Sequence, residues 1–167
     1  MSPGGPTAPF GVPAAPLDRR GLETLVTRFC EAFNRDDLNA VMEYFAEDAL
    51  YETFEGQRCH GKAAIRAAFE PQFRGDFGQI RFLTEDLVLD EAAGKAVLTW
   101  RCQHEISRVR GLPGLSGLRQ ALYRGLYGRQ FGWYGLDVLH FSGGLLRQKR
   151  TYAQSKLPLV RRGLTPR

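Results

Sequence analysis

Apolar residues recur at two spacings along this chain, and the change of spacing divides it. Leu22, Leu25, Val26, Phe29 and Phe33 step by three or four, which predicts an amphipathic helix from about Arg19 to Asn34. Asp36 can cap a second helix carrying Leu38, Val41, Met42 and Phe45. A short strand is predicted over Ala49–Phe54, then a turn at Gly56. Gly61 precedes a third helix with Ile65, Ala68 and Phe69, which Pro71 should help to end. After Gly78 the period falls to two. Strands are predicted over residues 79–90, 96–107, 131–141 and 145–154, the last two joined by Ser142-Gly143-Gly144 as a hairpin. Helices first and an antiparallel sheet second is the order of an α+β fold.

Residues 108–130 interrupt the strand pattern. Leu112, Leu115, Leu118, Leu122 and Leu126 again step by three or four, while Gly111, Pro113, Gly114 and Gly117 weaken the front of the segment. A helix is therefore expected from about Leu118 to Tyr127, with Arg119, Arg124 and Arg129 off the leucine stripe. Such a helix either packs on the body or a second subunit, or acts as a basic lid or membrane-touching element. The chain then divides into a flexible Pro- and Gly-rich tail at 1–17, a domain at 18–155 containing the 108–130 insertion, and a basic tail at 156–167.

Charge sharpens this division. From Arg108 to Arg167 there are 12 lysines and arginines against one aspartate, a net +11, whereas the first 107 residues carry a net −6. A basic stretch of this kind suits an anionic ligand, an acidic partner or a membrane surface, or neutralises the acidic part of the same or a neighbouring subunit. No recognition-helix, zinc-ligand or RNA-binding signature accompanies it, so nucleic acid is not expected as a partner. No apolar run approaches the roughly 20 residues that span a bilayer, and stable membrane insertion is not expected. The N-terminus lacks a secretory pattern, and Cys30, Cys59 and Cys102 are odd in number. Free thiols and a cytoplasmic location are the expectation. Cys59-His60 has no partners at ligand spacing, so no metal site is expected.

The lone carboxylate of the basic part is Asp137, in Phe131-Gly132-Trp133-Tyr134-Gly135-Leu136-Asp137-Val138-Leu139-His140-Phe141. Strand alternation puts it on one face with Phe131, Trp133, Leu139 and Phe141. A carboxylate among aromatics must be paired, protonated or turned to a wet pocket. It is either a buried group tied to a neighbouring tyrosine or histidine, or a pocket acid–base group. On the preceding strand His104 shares a face with Trp100 and Cys102, a place for a satisfied core histidine or a catalytic one.

Four pieces in order carry a family resemblance. They are Arg28-Phe29-Cys30-Glu31-Ala32-Phe33-Asn34-Arg35-Asp36-Asp37-Leu38 through Tyr44-Phe45-Ala46-Glu47-Asp48-Ala49; Gly61-Lys62-Ala63-Ala64-Ile65-Arg66; Asp137-Val138-Leu139-His140-Phe141; and Gly144-Leu145-Leu146, ending at Thr151-Tyr152. Over about residues 20–154, apart from the insertion, the chain resembles nuclear transport factor 2-like proteins, the superfamily of ketosteroid isomerases and SnoaL-like polyketide cyclases. The resemblance implies a cone: three N-terminal helices against a curved antiparallel sheet, a deep apolar pocket, and a homodimer. Asp137 matches the protonated aspartic acid of the isomerases. Their tyrosine position falls on Phe29, which has no donor, and their base falls near Glu52 or Thr53. In the cyclases an acidic residue corresponds to Asp137, and a histidine on the preceding strand to His104. Limonene-epoxide-hydrolase-like chemistry does not fit, because Gln103 follows Arg101 where an aspartate is needed and Thr151 holds the other aspartate position.

The resulting expectation is a protein that binds a small hydrophobic molecule, with Trp100, Trp133, Tyr51 and Phe29 lining the cavity. It would be a cofactor-free isomerase or cyclase in which Asp137 transfers protons, His104 assists and Glu52 is a further candidate base. The alternative is a non-catalytic binding or interaction module with a basic surface.

Overall fold

A computed structural model describes residues 17–106 and 115–154. The expectations for the tails at 1–17 (Leu17 apart) and 156–167, and for residues 108–114 of the insertion, lie outside the described residues. The element order is α1 (Arg19–Asn34), α2 (Leu38–Glu43), β1 (Phe45–Glu52), β2 (Arg58–His60), α3 (Lys62–Phe73), β3 (Gln79–Asp90), β4 (Lys95–Glu105), α4 (Leu115–Tyr127), β5 (Gln130–Ser142) and β6 (Leu145–Ala153).

Local chemistry accounts for most boundaries. Asp18 caps α1 by accepting from the Gly21 amide at 2.7 Å. The cap of α2 is Asp37, which accepts from the Ala40 amide at 2.9 Å, and not Asp36 as expected. Asp36 takes the left-handed turn that separates the two helices, at φ 59°. Pro71 does not end α3, which runs on to Phe73. A proline in the last turn removes only one internal hydrogen bond there, and the Arg74 amide still closes onto the Glu70 carbonyl at 2.8 Å. Phe45 opens β1 instead of closing α2, and the short strand β2 occupies what the sequence suggests is only a turn.

The six strands form one mixed sheet in the order β2-β1-β6-β5-β4-β3. Four neighbouring pairs are antiparallel, as expected; β1 and β6 run parallel. Sequence alternation sees strands but not which distant strand lies alongside, so this pairing was not foreseen. The β5–β6 hairpin turns on Gly143 and Gly144, at φ 62° and 76°, the left-handed geometry of a tight two-residue turn. A bulge follows at once: Phe141 opposes Leu146, yet His140 opposes Gln148.

Helices α1, α2 and α3 pack on one face of the sheet around Phe29, Phe33, Phe45 and Phe69, whose rings meet mainly edge to face. Asn34 fastens the end of α1 to the edge strand β3. Its side-chain amide donates to the Phe82 carbonyl at 2.9 Å and its oxygen accepts from the Phe82 amide at 2.8 Å, as another strand would. Among the described residues no helix is long and apolar enough to cross a membrane.

Candidate functional site

Between the helices and the inner face of the sheet lies a cavity of about 700 Å³, within the size range of small-molecule sites. Four expected lining residues, Phe29, Tyr51, Trp100 and Trp133, stand on its wall with Asp137 and His104. Glu52 does not. It is held by Arg58 and Arg150, at 3.6 and 3.9 Å, beside the cross-strand positions these residues occupy on β2 and β6. Alternation along β1 turns Tyr51 inward and its neighbour away. As a candidate base on the cavity, Glu52 is therefore corrected to a paired strand residue.

Asp137 is buried and paired. Its Oδ1 accepts from the Thr151 hydroxyl at 2.6 Å and also contacts the Lys149 ammonium. Lys149 is itself only 4% exposed; it donates to Thr151 Oγ1 at 2.7 Å and sits 5.3 Å over the Tyr51 ring. Burial, and then the charge on Asp137, raises the pKa of the Tyr51 hydroxyl, so it stays protonated. Among the described residues no hydrogen bond reaches Asp137 Oδ2. Cys30 lies on the same wall, with its thiol pushed up to about 11 by burial and then by the charge on Asp137. The cluster is thus a buried ion pair, one hydroxyl bridge and one phenol donor on an apolar cavity wall.

Lys149 was missed by sequence reasoning, for a definable reason. A regular hairpin from Gly143-Gly144 would put Arg150 opposite Asp137 and leave Lys149 on the other face. The bulge shifts the register by one, so Thr151 opposes Asp137 and Lys149 opposes Leu139. In the structure the shift shows as broken alternation along β6, where Leu146 and Lys149 are both buried.

His104 does not join this cluster. Asp137 pairs with Leu98 on β4, and His104 lies six positions further along, roughly 20 Å at strand rise. Its Nδ1 meets the Phe77 carbonyl at 3.0 Å, which can only accept, so Nδ1 carries the proton. Nε2, 3.2 Å from Cys102 Sγ, then accepts from the thiol, whose pKa burial lifts to about 12. The ring stacks on Phe131 at 4.7 Å, and burial lowers its own pKa, opposed by the Phe77 contact. The expected helper of Asp137 is therefore a neutral, satisfied histidine at the far end of the cavity.

At that end α4 closes the wall with Arg119 and Tyr123. Arg119 donates to Asp76 Oδ2 at 3.2 Å. Arg74 holds the same buried carboxylate through Nε and a terminal nitrogen, at 3.2 and 3.1 Å. Trp100 Nε1 is buried without a hydrogen-bond partner among the described residues, and an orphan donor of this kind costs about 1–3 kcal/mol. The described residues contain no group of three or more His, Cys, Asp or Glu placed to hold a metal ion.

Comparison with known proteins places this architecture. Residues 26–148 match the SnoaL-like domain family. A search of curated proteins found no match. Solved structures share the fold at low identity. A nuclear transport factor 2-like protein of unknown function from Mesorhizobium loti has a TM-score of 0.60 at 17% identity, covering 86% of this chain and 100% of that one. A putative polyketide cyclase from Xanthomonas campestris pv. campestris has 0.59 at 20%, covering 81% and 92%. SalBIII, described as an epoxide hydrolase/cyclase-like enzyme in pyran ring formation in the polyether salinomycin, has 0.63 at 15%, covering 83% and 94%.

Proposed function

We propose, on the premise that this chain belongs to the SnoaL-like domain family, that it binds a small hydrophobic carbonyl compound and moves a proton on it without a cofactor, as an isomerase or cyclase does. The observation that carries this reading is the Asp137–Lys149–Thr151–Tyr51 cluster on the wall of an apolar cavity. Asp137 Oδ2, which no hydrogen bond among the described residues reaches, is the proton acceptor. It takes a proton from the carbon next to the carbonyl, and the C–H electron pair moves into the enolate. The protonated Tyr51 hydroxyl donates to the enolate oxygen, and the Lys149 ammonium, paired with the carboxylate, holds it in place. Returning the proton to another carbon completes an isomerisation; attack of the enolate on a second carbonyl closes a ring.

A second reading is favoured by one specific fact: Asp137 already has an ammonium partner. In that reading the cluster is a structural pair, and the cavity binds its ligand without turnover.

The two separate in one experiment. The protein is incubated in D2O with 2-tetralone, and deuterium uptake next to the carbonyl is followed by NMR, with binding read from Trp100 and Trp133 fluorescence. Catalysed exchange that falls about 10²- to 10⁴-fold in Asp137→Asn, with binding retained, supports the catalytic reading. Binding with no exchange above background supports the second. Exchange that is unchanged in Asp137→Asn removes Asp137 from the chemistry.

A further inference from the structure

The charges on the cavity wall are matched at one end and not at the other. Three cations stand on that wall: Arg58, Arg119 and Lys149. Lys149 is paired with Asp137 on the same wall. Arg58 lies 3.6 Å from Glu52 and shares its side of the wall with a second carboxylate, Glu55. Arg119 is placed differently. Its partner is Asp76, which Arg74 already holds through two nitrogens, so two guanidiniums meet one carboxylate. No position from Ser107 to Leu136 is acidic, so neither α4 nor the first half of β5 offsets the surplus charge. Among the described residues only Nη1 of Arg119 makes a hydrogen bond, and Nε and Nη2 keep their N–H groups for another acceptor.

The surroundings of Arg119 define what that acceptor is attached to. Tyr123, one turn further along α4, meets the Phe77 ring at 5.7 Å and the Phe131 ring at 5.9 Å, and Phe131 stacks on His104. Phe77, Tyr123, Trp133 and His104 all stand on the cavity wall, so flat apolar surface leads inward from the guanidinium. His104 is six positions along β4 from the residue opposite Asp137, roughly 20 Å at strand rise. A ligand that touches both ends is therefore long and thin. The Arg119 side chain is 50% exposed, which puts it at the edge of the cavity. An anionic group held there keeps water on one side and avoids the cost of full burial.

We infer that Arg119 is the carboxylate-binding residue of this cavity, and that its ligand is an elongated hydrophobic acid. The carboxylate accepts from the free N–H groups of Arg119, the apolar body lies along Phe77, Tyr123 and Trp133, and the opposite end reaches Asp137. This rests on the cavity being the binding site proposed above, and it names the class of compound that fits; it requires no proton transfer.

The test is calorimetric titration of the full chain with 4′-acetylbiphenyl-4-carboxylate and with the matching primary amide, which has the same length and no charge. The wild-type chain should bind the acid more tightly by about tenfold, the lower end of what a hydrogen bond to a charged group gives, because Arg119 is half exposed. High salt should narrow the difference by weakening the acid alone. Arg119→Gln should abolish the preference. Arg74→Gln removes the other arginine on Asp76, which does not line the cavity, and should keep it. A general loss of structure weakens both compounds together and leaves their ratio, so the ratio reports the contact; the wild-type comparison needs no variant at all. Equal binding of acid and amide by the wild-type chain, or no binding of the acid, overturns the inference. So does a preference that survives Arg119→Gln, or one that is lost in Arg58→Gln or Arg74→Gln instead. Because 2-tetralone has no carboxylate, binding of 2-tetralone without an acid preference sinks this inference alone, and an acid preference without deuterium exchange sinks only the catalytic reading.

Discussion

Replacing Lys149 by methionine tests the centre of the site. The lysine and Asp137 side chains are 5% and 11% exposed, so neither charge is screened by water to any extent. Methionine keeps most of the volume and removes the ammonium. The carboxylate then stays buried with the Thr151 hydroxyl as its remaining donor, at 2.6 Å. Removing one partner of such a pair costs about 3–5 kcal/mol, because the survivor keeps its desolvation penalty and loses its compensation. The retained Thr151 hydrogen bond argues for the lower end, about 3 kcal/mol. For a domain of this size that lowers the melting temperature by roughly 10 °C. The companion variant carries Lys149→Met with Asp137→Leu. With both charges gone and an apolar wall in their place, its stability should return to within about 1 kcal/mol of wild type. Urea unfolding of wild type, both single variants and the double variant at pH 7 closes the cycle. Two single costs that simply add, or a Lys149→Met cost below about 1 kcal/mol, would falsify the buried-pair argument.

Two further outcomes follow from the far end of the cavity and from β5. Burial lowers the His104 pKa below the 6.5 of the unfolded chain, so the unfolded state binds the extra proton as pH falls through that value. This contribution to stability is intact above pH 6.5 and is lost below it, with a slope of up to about 1.4 kcal/mol per pH unit; His104→Gln should flatten urea-unfolding stability between pH 7 and 5, and parallel profiles would show that the imidazole carries no such burden. Gly135 lies under the Trp100 ring, where a Cβ would fall 2.5 Å from Cζ2 and from the Tyr152 carbonyl oxygen. Gly135→Ala should cost about 1–3 kcal/mol and drive Trp100 toward the cavity, seen as altered tryptophan emission and weaker 2-tetralone binding; an alanine variant with wild-type stability and emission would mean that the indole has room to spare.

Apart from the short strand β2 and the start of β1, the helices and strands were legible because each follows a local rule. The spacing of Leu22 to Phe33 gives α1, alternation from Gln79 to Glu105 gives β3 and β4, and paired glycines give the β5–β6 turn. The inward residues Phe29, Tyr51, Trp100, Trp133 and Asp137 follow from the same patterns and from the resemblance. What stayed hidden is non-local. That β1 lies parallel to β6, with Tyr51 beside Lys149, is a contact across nearly the whole domain. That Lys149 faces inward depends on a single extra residue in a hairpin. That Glu52 turns away and His104 is fully hydrogen-bonded depends on partners, Arg150 and Phe77, that no spacing rule connects to them.

These hidden contacts change where the chemistry sits. The resemblance places a hydroxyl donor on α1, and this chain has Phe29 there, an apolar wall with its ring against Phe33, Tyr44 and Phe45. The structure supplies a phenol from the opposite side, on β1, and an ammonium from β6. The register Tyr51–Lys149 and Asp137–Thr151 holds all four groups on three adjacent strands. Strands fix side chains more closely than loops do, and each of these groups is locked by another. The wall at the other end is built differently: α4 is fastened through Arg119 to the Asp76 carboxylate, which Arg74 also holds, and through Gln120 to a single carbonyl. Rigid strands therefore carry the charged cluster, and a helix held by a few polar contacts, with its leucines outward, stands between the cavity and its surroundings. In such an arrangement α4 can shift on its few polar contacts while the strand-borne cluster around Asp137 keeps its register.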